Sequence, residues 1–564
     1  MSILDYGIVI GYFVLVFFVA FWVTKKERKE KSSESYFLGG KNSSWFVIGA
    51  SLFASNIGSE HLIGLSGSGS RGDFVNGQFE LLAALILIVL GWVFVPYYLK
   101  SGVYTMPEFL EKRYSRGARN YLSVISILAY VLTKISVTIF AGALVFDQLL
   151  GVEFWTGAIL VVVATGVYTI FGGLKAVVYT DLVQMFVLTA GAIAVTWFGL
   201  DALGGLDALT ASITENAGDQ AGNYFNLWRS NSDTNYPWTG ILFGAPILGV
   251  WYWCTDQFIV QRVLSAKDLT HARRGTIFAG YLKLLPIFLF VFPGVIAFAL
   301  HNADGTLLLD SAGEISHDSA LPAMVMAYLP SGMRGLVAAG LLAALMSSLS
   351  SVFNSCSTLV TMDFYKVWRP KTPERSLVVV GQLTTGVLVI TGLLWIPFMK
   401  SMMQDGGLFK YLQSIQAYIA PPIAAVFLLG LFVKQINAKG ALAALWTGFV
   451  FGVGRLILEF LSTPASEGVP GIITLSEGSV LHWIVEINFL HFALLLFIIC
   501  SVVMIAVSFM TSKGEQKDVS DLVYSRKASA GMWNVVLRRD LALTILLIIA
   551  VLALWLIFSP FGIA

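Results

Sequence analysis

The sequence predicts an all-α polytopic membrane protein with about fourteen transmembrane helices. Three observations predict it. Of the 564 residues, 57% are hydrophobic and 12% charged, about half the charged share of an ordinary soluble domain. The apolar runs are about 20 residues or longer, the length that crosses a hydrocarbon core. The basic residues gather in short loops that alternate with acidic ones, as the positive-inside rule requires.

The runs fall at 5–24, 44–70, 78–99, 120–150, 154–171, 176–203, 237–261, 275–301, 333–361, 377–400, 408–433, 437–461, 481–511 and 540–560. The first lacks a basic start and a small-residue cleavage site, so it reads as a retained helix and not a signal peptide. Lys25, Lys26, Arg28, Lys29 and Lys31 follow it, and Lys112, Arg113, Arg116 and Arg119 follow the third run. Arg262, Lys267, Arg273 and Arg274 follow the seventh, Lys366, Arg369, Lys371 and Arg375 the ninth, and Lys513, Lys517, Arg526, Lys527, Arg538 and Arg539 the thirteenth. These loops share one side, which is therefore cytoplasmic. The opposite loops are acidic: Asp207, Glu215, Asp219 and Asp233 in 204–236, and Asp304, Asp310, Glu314 and Asp318 in 302–332. Both termini then lie outside, in the plasma membrane or, for a bacterial source, the inner membrane.

Net charge is +2, which gives no electrostatic case for nucleic acid. Cys254, Cys356 and Cys500 each sit in an apolar run without metal-ligand spacing, and read as small buried hydrophobes. No HExxH, GxSxG or phosphate-binding loop occurs, so nothing points to an enzyme.

Two runs are interrupted. The second contains Ala54-Ser55-Asn56-Ile57-Gly58-Ser59-Glu60-His61, and the seventh contains Pro246 and Gly249 just before Trp251-Tyr252-Trp253. Each opens a five-helix half. Glycine and proline are common in membrane helices, but breaks at matched places in two halves point to a binding site between inverted repeats. A break exposes backbone oxygens, and a hard cation seeks oxygen. The ninth run adds hydroxyls at Ser347, Ser348, Ser350 and Ser351, one helical turn apart in two stripes. Close packing of small residues is the competing reading of that stripe. Asp181, inside the sixth run, is an intramembrane carboxylate and hence a candidate by default.

A second constellation mixes polar and aromatic residues at membrane depth. Asn56, His61, Glu80, Lys283 and Gln413 supply donors and acceptors, and Phe79, Tyr252, Trp253 and Phe409 supply flat faces. His61 alone would read as a satisfied buried histidine, and Glu80 with Lys283 as a structural ion pair. Five polar residues from several helices read instead as a pocket for a hydroxyl-rich small molecule.

These residues lie in segments that resemble the sodium:solute symporter family, and specifically its sodium/glucose cotransporter branch. The segments are Gly49 to Gly58, Tyr104-Thr105-Met106-Pro107-Glu108-Phe109-Leu110-Glu111-Lys112-Arg113-Tyr114, Gly172 to Asp181, Trp251 to Gln257 with Gln261-Arg262, Tyr411-Leu412-Gln413-Ser414-Ile415, and Pro421 to Phe427. The resemblance implies a five-plus-five inverted-repeat (LeuT-like) core with broken first helices. The first repeat covers 43–204 and the second 237–435, with 1–42 and 436–564 as additions. It implies a first sodium site at Ala54, Ile57, Ala344, Ser347 and Ser348, and a second at Asp181, Ser347, Ser350 and Ser351. Sugar contacts fall on Asn56, His61, Phe79, Glu80, Tyr252, Trp253, Lys283 and Gln413, with Tyr252 as the inner-gate aromatic. The implied activity is sodium-driven import of a hexose, two ions per sugar. Its partners are sugar, sodium as coupling ion and the bilayer; no cofactor and no obligate protein partner are implied. A myo-inositol or polyol cotransporter is the alternative within the class, and a sodium-dependent sugar sensor the alternative outside it. Gly249, Leu81 and Lys410 depart from the branch's pattern.

Overall fold

Where polar residues enter the second apolar run, the helix stops. Trp45–Asn56 is helical, Ile57 is extended at φ −69° and ψ 93°, and a π-helical segment resumes at Glu60–Leu65 and leads into Ser66–Ser70. The computed structural model describes residues 1–27, 41–58, 60–309, 313–402, 407–462, 472–511, 519, 522–524 and 538–563, and within these the side chains of 16, 19–27, 60, 167–168, 170–183, 374–375 and 398–402 also lie outside that description.

Among the described residues, ten helices are long and apolar enough to cross a bilayer: Phe74–Ser101, Arg116–Leu150, Gln184–Leu203, Leu269–Asp304, Met333–Trp368, Ser376–Pro397, Gly407–Phe432, Ala438–Ser462, Phe489–Met510 and Arg538–Ile557. Shorter apolar helices occupy Ile3–Leu15, Trp45–Asn56, Phe154–Gly166 and Gly240–Thr255.

Two expectations need correction. The backbone from Phe154 to Leu203 is helical throughout, so no non-helical residues separate the runs at 154–171 and 176–203. Glycine lowers helix propensity by about 1 kcal/mol yet keeps its N–H, so a glycine pair without proline does not force a turn. The second break also lies elsewhere. The chain stays helical through Pro246 and Gly249 and a π-helical segment at Val250–Thr255, then breaks at Asp256, with φ −75° and ψ 129°. Pro246 is accommodated because the π-helical Gly240–Gly244 just before it widens the turn that its missing N–H would otherwise bond. Asp256 stops the helix because its carboxylate caps the next one, accepting from the Phe258 N–H at 3.1 Å.

The broken helices are held by backbone-close contacts. A Cβ on Gly49 would stand 2.8 Å from the Gly275 carbonyl oxygen, and a Cβ on Gly69 or Gly294 would stand 2.0 Å or less from the Val291 or Ser66 carbonyl oxygen. Small residues at such crossings are the usual means of close packing in membranes. The first half-helix is thereby clamped to Leu269–Leu282, and Ser66–Ser70 to Phe292–Asp304.

Candidate functional site

The two breaks and their neighbours line one pocket, mostly apolar with a few placed polar groups, as small-molecule sites are. All eight expected sugar contacts, Asn56, His61, Phe79, Glu80, Tyr252, Trp253, Lys283 and Gln413, line it, as do Phe409 and Gly249. Lys134 and Gln416 line it too, and sequence reasoning missed both. Lys134 is an intramembrane lysine, open to the rule that flagged Lys283. Gln416 is one turn from Gln413.

Lys283 is fully buried and joins three elements. Its ammonium donates to the Asn56 amide oxygen and to the Glu80 carboxylate. Asn56 turns its amide nitrogen to the Tyr252 hydroxyl at 3.0 Å. His61 Nε2 lies 3.1 Å from Glu80 Oε1. An ionised carboxylate only accepts, so Nε2 carries the proton and donates. The 3.2 Å approach of Lys283 Nζ to that nitrogen is then a contact of two donors and not a hydrogen bond. Two cations also lie over rings: Lys134 Nζ is 4.8 Å from the centre of Tyr252, and Lys283 Nζ is 5.5 Å from that of Trp253, within cation–π range. Tyr252 and Trp253 meet edge to face at 5.1 Å, and Phe79 and Phe409 at 5.5 Å.

The glutamines differ. Neither Gln413 nor Gln416 hydrogen-bonds to protein among the described residues, although they are only 9% and 6% exposed. Their amides are unspent donors and acceptors aimed at one cavity.

Five residues are expected at a first sodium site near the first break. Ala54, Ile57, Ala344, Ser347 and Ser348 are all buried. The carbonyls ending Trp45–Asn56 lose their helical partners at the extended Ile57, and Ser348 Oγ reaches the Ser55 carbonyl at 3.5 Å. In the expected second site, Ser350 Oγ donates to the Ser347 carbonyl at 2.9 Å, while Ser351 Oγ accepts from Arg262 Nη2 at 2.7 Å. Arg262 Nε also reaches Ser55 Oγ at 2.7 Å and Ser51 Oγ at 3.2 Å. The side chain of Asp181 lies outside the described residues.

Arg71 pairs with Asp318 at 2.9 Å, and Asp318 also accepts from the Leu408 N–H at 3.2 Å. His317 beside them accepts or donates to Ser70 Oγ at 2.9 Å, and burial together with the Arg71 charge pushes its imidazole down to about 4.

The profile of the sodium:solute symporter family matches residues 36–448. Sodium/glucose cotransporter 1 of Oryctolagus cuniculus is 39% identical over 530 residues, covering 90% of this chain and 79% of the relative. Sodium/myo-inositol cotransporter 2 of Homo sapiens is 38% identical over 539 residues, covering 92% and 78%. Among solved structures, a substrate-bound, outward-open Na+-coupled sialic acid symporter superposes with a TM-score of 0.75 at 21% identity, covering 92% of this chain and 100% of that one. Mhp1, a nucleobase-cation-symport-1 family transporter, superposes at 0.52 and 14% identity over 87% of this chain and 99% of that one. Both likenesses concern the fold, the LeuT-like helical core. With a profile match over most of its length and relatives near two-fifths identity over nine-tenths of it, the chain belongs to the sodium:solute symporter family.

Proposed function

We propose that the chain is a sodium-driven symporter that imports a hexose of the glucose or galactose type by alternating access. One observation carries the reading: a cavity in which Glu80 pairs with Lys283, Lys134 lies over the Tyr252 ring, and Gln413 and Gln416 keep unspent amides. Such a lining suits a neutral molecule with many hydroxyls and an apolar face to lay on Tyr252 and Trp253. The relatives named sodium/glucose cotransporters support the same substrate class.

Sodium binds at Ala54, Ile57, Ala344, Ser347 and Ser348, and a second ion at Asp181, Ser347, Ser350 and Ser351. Antiparallel packing supports that second set. A Cβ on Gly191 or Gly340 would meet Val337 or Val187 at 3.0 Å. Continued turn by turn, that register pairs Ala344 with Gln184 and the Ser347 level with residue 181. Two ions at 100 mV supply about 4.6 kcal/mol, which sustains a roughly thousandfold sugar gradient. Both termini face outside, the coupling ions are the only cofactors, and no protein partner is needed. The two repeats cover 43–204 and 237–435.

The test is uptake of radiolabelled glucose and galactose into proteoliposomes with and without an inward sodium gradient. Uphill uptake that vanishes without sodium is expected. Silence with both hexoses but sodium-driven uptake of myo-inositol would replace the hexose by a polyol, a substrate one relative's name carries.

A further inference from the structure

A second cleft lies outside the sugar cavity. It lies between Arg116–Leu150 and Ala438–Ser462, with Tyr418, Ile419 and Pro422 of Gly407–Phe432 as its floor. Tyr121, Ile125, Leu128 and Leu132 form one wall, and Phe449, Gly452, Val453 and Leu456 are among those forming the other. The twelve residues from Tyr121 to Leu132 span roughly 16 Å, about one leaflet's share of a 30 Å hydrocarbon core.

The cleft is built to stay open. A Cβ on Gly452 would stand 2.0 Å from the Tyr418 carbonyl oxygen, and one on Gly448 2.3 Å from Pro422 Cβ. The wall helix already touches the floor backbone to backbone and cannot move closer. Its flank is exposed and apolar: Leu128 is 48%, Trp446 55% and Val450 64% exposed. Between spanning helices, what meets such a flank is hydrocarbon, not water.

One end of the cleft is basic. Gly117 would meet Leu442 at 3.2 Å if it carried a Cβ, which sets the starts of the two wall helices side by side. Arg116 precedes Gly117, and Lys439 lies one turn before Leu442; both are exposed. On the orientation proposed above this end faces the cytoplasm, the side whose lipids are anionic.

We propose that this cleft holds one acyl chain of an anionic phospholipid, with its headgroup on Arg116 and Lys439. The walls are shared with transport: Leu132 lines the cleft and Lys134 the sugar cavity, Tyr418 the one and Gln416 the other. The lipid therefore sits one helix thickness from the substrate and tunes the helices that enclose it.

The test is native mass spectrometry of the full chain, delipidated in detergent and titrated with dioleoyl phosphatidylglycerol or dioleoyl phosphatidylcholine. This readout needs neither sodium nor sugar, so it fails or succeeds independently of the transport reading. One tightly held phosphatidylglycerol, preferred over phosphatidylcholine, is expected. Arg116→Gln/Lys439→Gln, at exposed positions that leave the fold intact, should weaken it roughly 25-fold, about fivefold per cation. Val453→Trp, which fills the cleft, should weaken both lipids. Equal retention of the two lipids, or unchanged phosphatidylglycerol binding in either variant, overturns the proposal.

Discussion

Replacing Gln413 by alanine tests the sugar site without disturbing the fold. No protein group among the described residues depends on the Gln413 amide, so truncation strands no buried partner. What it removes is interaction with substrate. A neutral hydrogen bond is worth about 0.5–1.5 kcal/mol net. One amide can make two, one as donor and one as acceptor, for a loss of roughly 1–3 kcal/mol. At about 1.4 kcal/mol per tenfold, the half-saturating sugar concentration should rise about 5- to 150-fold. The assay is sodium-driven uptake in proteoliposomes, repeated with a set of monodeoxy sugars. The deoxy sugar that lacks the hydroxyl bound by Gln413 is already poor in the parent and should lose little more in Gln413→Ala. The others should show the full loss, because effects add only for independent contacts. A half-saturation within twofold of the parent for every sugar would refute the assignment of Gln413 to the substrate.

Three further outcomes are expected. Ser350→Ala should lower the sodium Hill coefficient of uptake toward one, because Ser350 Oγ keeps lone pairs after donating to the Ser347 carbonyl; an unchanged coefficient removes it from the second ion site. Glu80→Gln should destabilise the protein in detergent melting by about 3–5 kcal/mol, the cost of stranding a buried ammonium, while Glu80→Gln/Lys283→Met should recover much of that; equal losses in the single and double variants would deny the coupling. His317, held down to about 4 from its ordinary 6.5, binds its proton more weakly folded than unfolded. Its contribution to stability is therefore full above pH 6.5 and lost as pH falls toward 4. His317→Asn should flatten the melting temperature in that window relative to the parent, and an identical slope would exclude His317 as its source.

Legibility in the sequence followed chemistry more than geometry. The first break was readable because Ser55, Asn56, Gly58 and His61 interrupt an apolar run, and polar groups at membrane depth need a reason. The eight cavity residues came from the same logic and from family resemblance, and the fold brings them together. The second break was misplaced because proline is the louder signal. Asp256 was the better one, an aspartate at the end of an aromatic run and two residues before the N–H it caps. Lys134 was hidden by its position in the long Arg116–Leu150 helix, where its ammonium lies over the rings of Tyr252 and Phe258. No sequence pattern marks the cleft lined by Tyr121 and Phe449, since it depends on how three helices pass one another.

Arg262 has a consequence for the order of events. It rides on Gln257–Leu264, the segment that follows the second break, yet its guanidinium grips Ser51 and Ser55 of the first half-helix and Ser351 of the serine helix. A swing of Gln257–Leu264 must either withdraw that hand from three hydroxyls or drag them along. The segment after the second break and the proposed cation site are thus tied together by one guanidinium. A lesion in either should be felt at the other, and a patient search for residues that affect only one of them should come back short.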